Sequence, residues 1–225
     1  MDIAVNPRGA DALVWNCDWL CEKWSEEAVS FARQKLDKLG ITAVRDGTEK
    51  LTLPEKTWDN ASQAYVNIQV DVPRFISAKK GVTSTVLRKL GILPEITEEV
   101  KGNLLLNEGI QEMWDLVIGA TATSAYTNGN AQLGVGSNTT AAAASQTDLQ
   151  DGGAVWKAMN ASYPIRTNQT MDFRSDFTSG EANFAWQEWG IRNGATRNKN
   201  MNRKVESLGT KSTGTWTLTA SITLS

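Results

Sequence analysis

The chain has 225 residues, with 23 Lys and Arg against 25 Asp and Glu for a formal charge of −2, and no His. That balance supplies no basic face for a nucleic acid, and the missing His removes the commonest general base and zinc ligand. No stretch reaches the length of a membrane span, and the start MDIAVNPRGADALVW lacks the basic-then-apolar order of a signal peptide.

Met1 to Ala10 has no pattern, and Pro7 with Gly9 reads as an extended arm. From Asp11 or Asp18 the spacing predicts a helix, in which Leu20, Trp24, Ala28, Phe31 or Ala32, Leu36 and Leu39 follow the three-four rule. Gly40 stands where a left-handed C-cap belongs. Cys17 and Cys21, four apart on that helix, read as half-buried thiols on its core stripe; a metal site would need two further good ligands, and no Cys or His remains. Trp15, Trp19 and Trp24 are more tryptophan than one short helix needs. They pack on the following strands or dock on a neighbouring chain.

Ile41 to Leu53 reads as a hairpin turning at Asp46-Gly47 and ended by Pro54. Ala64 to Val72 alternates, with Ala64, Val66, Ile68, Val70 and Val72 on one face, until Pro73 stops it. Val86, Leu87 and Leu90 make a helical turn closed by Gly91. The charged run Pro94 to Gly102 breaks the pattern and marks a boundary, dividing the chain into 1–102 and 103–225.

Asn107 is placed to cap the next helix, whose stripe Ile110, Met113, Trp114, Val117 and Ile118 predicts a helix packed by its apolar face and ended at Gly119. Ala120 to Gly153 is small and polar apart from a short strand, Ala131 to Gly136. Trp156–Tyr163, Met171–Phe177, Phe184–Arg192 and Met201–Leu208 read as strands. In Asn183 to Ile191, Phe184 and Trp186 fall on one face of a strand and Trp189 and Ile191 on the other; such a strand is central in a sandwich or covered by another subunit. Thr215 to Ser225 alternates without a fault, apolar at Trp216, Leu218, Ala220, Ile222 and Leu224 and hydroxylated between. It carries no charge and no Pro, so it belongs inside a sheet or under a cover. The expected fold is α+β: an N-terminal helix and small β region, then an antiparallel, jelly-roll-like β-sandwich with one packing helix.

Chemistry is sparsely signalled. Gly134-Val135-Gly136 lacks the Lys of a phosphate loop, and reads as a strand entering a loop. Asp172 and Asp176 share a strand face about 13 Å apart, too far for a paired site, and read as solvated surface. Exposed Trp with Asn and Gln could stack a sugar ring.

The second half resembles a family of tailed-bacteriophage virion proteins. The blocks that carry the likeness are GNLLLNEGIQEMWDLVIG (102–119), AQLGVGSNTTAAAASQTDLQ (131–150), MNASYP (159–164), MDFRSDFTSGEANFAWQEWGI (171–191) and NRKVESLGTKSTGTWTLTASITLS (202–225). They run in order over about Thr97 to Ser225, and the first 96 residues go beyond the shared pattern. The resemblance implies a non-enzymatic virion component, assembled in the host bacterial cytoplasm, with no cofactor, no nucleic acid and no membrane as partner. Its first expected form is a head decoration or cement protein that binds the major capsid protein and self-associates in the particle. The second is a tail, neck or fibre protein with a possible glycan-binding surface. Trp15, Trp19, Trp24, Trp186 and Trp189 are the expected assembly contacts.

Overall fold

The structure is a computed structural model, and it describes residues 15–59, 64–77, 81–120, 124–194 and 199–224, with the backbone alone for 44–59 and 64–77. The extended arm expected over Met1 to Ala10 lies outside the described residues. In chain order the elements are β1 (Trp15–Trp24), α1 (Glu26–Lys38), β2 (Ala43–Asp59), β3 (Ala64–Ser77), α2 (Ser84–Lys89), β4 (Ile96–Lys101), β5 (Leu104–Leu105) and α3 (Asn107–Val117). There follow β6 (Ala131–Gly136), β7 (Val155–Ala158), β8 (Ile165–Thr167), β9 (Thr170–Phe177), β10 (Glu188–Asn193), β11 (Lys199–Asn200), β12 (Asn202–Val205) and β13 (Thr215–Leu224). The protein is mostly β. One five-stranded sheet runs β4-β1-β13-β9-β8, and a six-stranded sheet runs β5-β12-β10-β6-β7 with β11 beside β10. All the pairings are antiparallel. No helix among the described residues is long and apolar enough to cross a membrane.

The final strand sits inside its sheet, as its uncharged alternation predicts. It pairs with β1 from Thr215↔Trp24 to Leu224↔Trp15 on one side and with β9 on the other. Its apolar face enters a buried cluster drawn from both sheets: Cys17, Trp19, Cys21, Phe173, Leu218, Ala220 and Ile222 from the first, and Leu133, Val135, Trp189 and Ile191 from the second. On the opposite face the first hydroxyls are also covered, because Thr215 donates to the Val82 carbonyl at 2.6 Å and Thr217 to Asp176 at 2.6 Å. A smaller cluster of Trp24, Val29, Ala32, Leu36, Val82, Val86 and Leu87 lies between α1, α2 and this end of the sheet.

Several expectations need correction. The helix begins at Glu26, not at Asp11 or Asp18, with Ser25 capping it by accepting from the Ala28 amide. Residues 15–24 are a strand, in which Trp15, Cys17, Trp19 and Cys21 share one face and Asn16, Asp18, Leu20 and Glu22 the other. Cys17 and Cys21 therefore lie on a strand, both buried. The C-terminal glycines do act as read: Gly40, Gly91 and Gly119 take φ of +65°, +77° and +68°. After α1, the Gly40 and Ile41 amides donate back to Asp37 and Leu36 at 3.1 and 2.9 Å.

The hairpin turn at Asp46-Gly47 does not form. Residues 43–59 are one strand paired with 64–77, and 46–47 fall in a bulge between the pairs Arg45↔Phe75 and Thr48↔Pro73. Pro54, with no N–H for a ladder, sits in a second irregularity between Thr52 and Lys56. The charged run taken as a boundary contains β4, an edge strand for which charge is protective. Because β4 and β1 belong to the sheet built on β13, the division at 102/103 does not separate two cores. Finally, Asn183 to Ile191 is not one strand. Ala185 makes an isolated bridge to Thr210 and regular pairing starts at Glu188. That break lets Trp186 and Trp189 enter the same core, which an uninterrupted strand would forbid.

Candidate functional site

Four of the five tryptophans expected as assembly contacts are inside the protein. Trp19 meets Trp189 edge-on with ring centroids 6.1 Å apart. Trp186 meets both Phe177 and Trp216 at 4.9 Å, and its indole N–H donates to the Ala182 carbonyl. Trp24 faces the smaller cluster and donates to the Ile92 carbonyl at 3.1 Å. Trp15 is partly buried, with its Nε1 donating to Asn103 at 2.9 Å. Burial in the chain's own core accounts for Trp19, Trp24, Trp186 and Trp189 and leaves them no surface for a partner.

Among the described residues α3 carries several outward-facing large apolar side chains, and others lie at Phe31, Leu39, Leu93, Ile96, Ile165 and Leu224. Most of the expected inner stripe of α3 points to solvent: Ile110 is 37% exposed, Trp114 63%, Val117 73% and Ile118, just past its end, 75%, while Met113 is half-buried. The polar side is the inner one. Gly109 and Glu112 are buried, and the Gly109 backbone passes so near Met201 that an added Cβ would lie 2.3 Å from its carbonyl oxygen. Glu108 accepts from the Asn200 amide at 2.7 Å, Glu112 accepts from the Tyr126 hydroxyl, and Asp115 pairs with Lys199 at 3.6 Å. Glu108, Glu112 and Asp115 repeat at the same i, i+4, i+7 spacing as an apolar stripe would. The helix is thus fixed by its acidic face. Its start is capped differently from the expectation as well: Leu106, not Asn107, is the N-cap, without a side-chain hydrogen bond.

This inversion sets the electrostatics beneath the helix. Burial raises the pKa of Glu112 above the ordinary carboxylate value, and the Tyr126 hydroxyl and Lys199 offset only part of that rise. Glu108 is raised for the same reason, again by burial first. Tyr126 is pushed up by its own burial and by Glu112.

The groups that could carry chemistry are structural where they sit. Burial holds Cys21 up at about 12 and raises Cys17 further, so both thiols stay protonated. Asp176, expected at the surface, is buried and accepts from the Ser84 amide at 2.8 Å, the Ser84 hydroxyl and Thr217. The reason is α2, whose first residue closes over the sheet there. Gly134 belongs to a strand, and its missing Cβ makes room for the Trp156 ring, an added Cβ lying 2.5 Å from it. Arg192 stacks on that ring at 4.1 Å. Among the described residues no three His, Cys, Asp or Glu side chains gather as a metal site.

The sequence stripe on α3 was visible as a helix face; what it lacked was any sign of which face turns inward. Compared with known proteins, the chain matches no protein-family model, no curated protein and no solved structure.

Proposed function

We propose that this protein is a structural subunit of a tailed-phage particle, acting through its surfaces as a head decoration or cement protein on the major capsid shell. The observation that carries the reading is the outward apolar face of α3. Ile110, Trp114 and Val117 on the helix and Ile118 at its C-cap are all exposed, and a contiguous apolar patch on a folded chain is often functional. The blocks that resemble virion proteins include this helix, in residues 102–119. The role is mechanical. Apolar area covered across subunit boundaries, at about 25 cal/mol per Å², raises the barrier to rupture of a shell.

A jelly-roll-like sandwich is the finer fold reading, supported by two antiparallel sheets that share one core. The tail, neck or fibre reading uses the same patch on a different partner. Quantitative mass spectrometry of purified virions, tail-free heads and isolated tails decides between them. Head decoration gives high copy number on tail-free heads. Presence on tails and absence from tail-free heads overturns it in favour of the tail component, and absence from all three overturns the particle reading itself.

A further inference from the structure

Lys211, in the connection between β12 and β13, is a lysine inside the protein, 1% exposed. Lysine is almost never fully buried unless it is paired. Here its Nζ donates to two neutral groups, the Thr178 carbonyl at 2.9 Å and Oδ1 of Asn183 at 2.7 Å. Backbone bonds hold the two segments together: the Lys211 amide donates to the Phe184 carbonyl at 3.0 Å, and Thr210 bridges Ala185. The Asn183 side chain is held at its other end as well, Nδ2 donating to the Ser179 carbonyl at 2.8 Å. That fixes which way the amide faces, because a lysine has donors only and must meet the oxygen.

A nucleophile and an electrophile are thereby set side by side. With a carbonyl bond of about 1.2 Å, this contact puts Nζ about 3–4 Å from Cγ of Asn183. A near-attack arrangement has its reacting atoms about 3–3.5 Å apart. Burial lowers the pKa of Lys211 to about 8, opposed in part by Glu181 and Glu26. A fraction of the amine is therefore uncharged near neutral pH, and the uncharged amine is the form that attacks a carbonyl. The Thr178 carbonyl is almost as near, but attack there would have to expel the chain, whereas the Asn183 amide expels only ammonia. Asn183 is exposed, so the ammonia has a direct way out to solvent.

We infer that Lys211 and Asn183 join in an intramolecular isopeptide bond, a self-modification that goes beyond the particle reading and does not depend on it. Nζ of Lys211 bonds to Cγ of Asn183, and the bond from Cγ to Nδ2 breaks. Of the two hydrogens on the uncharged amine, one stays on the new amide nitrogen. The other passes to the departing NH2, which leaves as ammonia. Atoms balance without an oxidant or a co-reactant. The Ser179 carbonyl is a positioning group, since it holds the departing nitrogen away from Lys211. The product closes a covalent loop from 183 to 211 around β10, β11 and β12, tying the second sheet to the lead-in of β13 in the first.

The test is mass spectrometry of the full-length protein, held folded at pH 8 for a day and then denatured. Wild type is expected to be lighter than its sequence by one ammonia. Trypsin, cutting after Arg174, Arg192 and Lys204, should release 175–192 and 205–225 as one branched peptide, with no cut at Lys211. Fragment spectra place the link at Lys211 and Asn183. Lys211→Arg keeps the charge and loses the nucleophile, and Asn183→Ala removes the electrophile. Each variant should have its full sequence mass and give the two peptides separately. A branched peptide that persists in either variant overturns the assignment. Loss of ammonia with the peptides still separate overturns the bond, because Asn128-Gly129 and Asn193-Gly194 can lose ammonia by closing on their own backbone. A wild type at full mass, cut normally after Lys211, overturns it too. The wild-type measurement decides even where a variant fails to fold, and none of these results bears on where the protein sits in a particle.

Discussion

Arg203 and Glu188 form an ion pair with no exposure on either side chain, Nε to Oε2 at 2.6 Å. Glu188 also accepts from the amides of Gln150 and Asp151 at 3.0 and 2.7 Å, while Arg203 reaches Gln146 at 2.9 Å. The pair therefore ties β10 and β12 to the long connection between β6 and β7. A single truncation leaves the other charge buried and alone. Arg203→Met should cost about 3–5 kcal/mol, read from urea denaturation. Adding Glu188→Leu should recover part of that loss, because a buried pair replaced by apolar groups is often neutral. A double variant weaker than the single one by a further several kcal/mol would show that the Gln150 and Asp151 amides, not the charge pairing, dominate.

Glu112 gives a pH dependence with a definite sign. Its folded pKa is raised by burial, against the partial opposition of Tyr126, Lys199 and Asn193, with Glu108 adding to the rise. The stability it contributes is present below the unfolded carboxyl value of about 4.3, and is lost as pH rises through the higher folded value. Glu112→Gln removes the titrating group but keeps an acceptor for the Tyr126 hydroxyl. The variant should melt above wild type at pH 7, with the difference closing near pH 4. A wild type that melts higher at pH 7 would refute it.

What was legible in the sequence was whatever had one periodicity and one possible surrounding. Thr215 to Leu224 is the best case, since strict alternation without charge has only an interior home. The helix-ending glycines were equally plain, because a positive φ has few other solutions. Trp15 to Trp24 was ambiguous: Trp15, Cys17, Trp19 and Cys21 alternate, yet Leu20, Trp24 and Ala28 also continue a helical stripe into α1. Strand pairing with β13, about 200 residues away, decided the matter, and no local window contains it. Asp46-Gly47 illustrates the same limit, since a bulge and a tight turn both favour Asp-Gly. On α3 two stripes of equal regularity compete, and Tyr126, Lys199 and Asn200 choose the acidic one. Those partners come from elsewhere in the chain.

The pairing of β1 with β13 bears directly on dissection of the chain. A fragment of residues 103–225 would lose the neighbour that covers one edge of β13 along its whole length. It would also lose Cys17, Trp19 and Cys21 from the main core, leaving Trp189 without its edge-on partner. An uncharged strand edge laid bare is a template for aggregation. The fragment should be insoluble or lack near-UV circular dichroism. A well-dispersed amide spectrum from soluble fragment 103–225 would show that the second half folds without β1.

Gly109→Ala separates a packing account of α3 from simple helix propensity, because the two give opposite signs. In an open helix interior, Gly is worse than Ala by about 1 kcal/mol, so the substitution would stabilise. Here the added Cβ would meet Met201 backbone atoms, the carbonyl oxygen at 2.3 Å and Cα at 2.6 Å. Backbone between β11 and β12 has no rotamer with which to yield, and Asn200 beside it is held by Glu108 and by the Thr147 carbonyl. The helix must lift, which would loosen the Glu108, Glu112 and Asp115 contacts that hold its acidic side inward. Overpacking of this kind costs about 1–3 kcal/mol, outweighing the propensity gain. Gly109→Ala should therefore lower the melting temperature and alter the near-UV signal. A variant that melts above wild type would mean that α3 stands off from Met201, and that the inward seating of its acidic face is wrong.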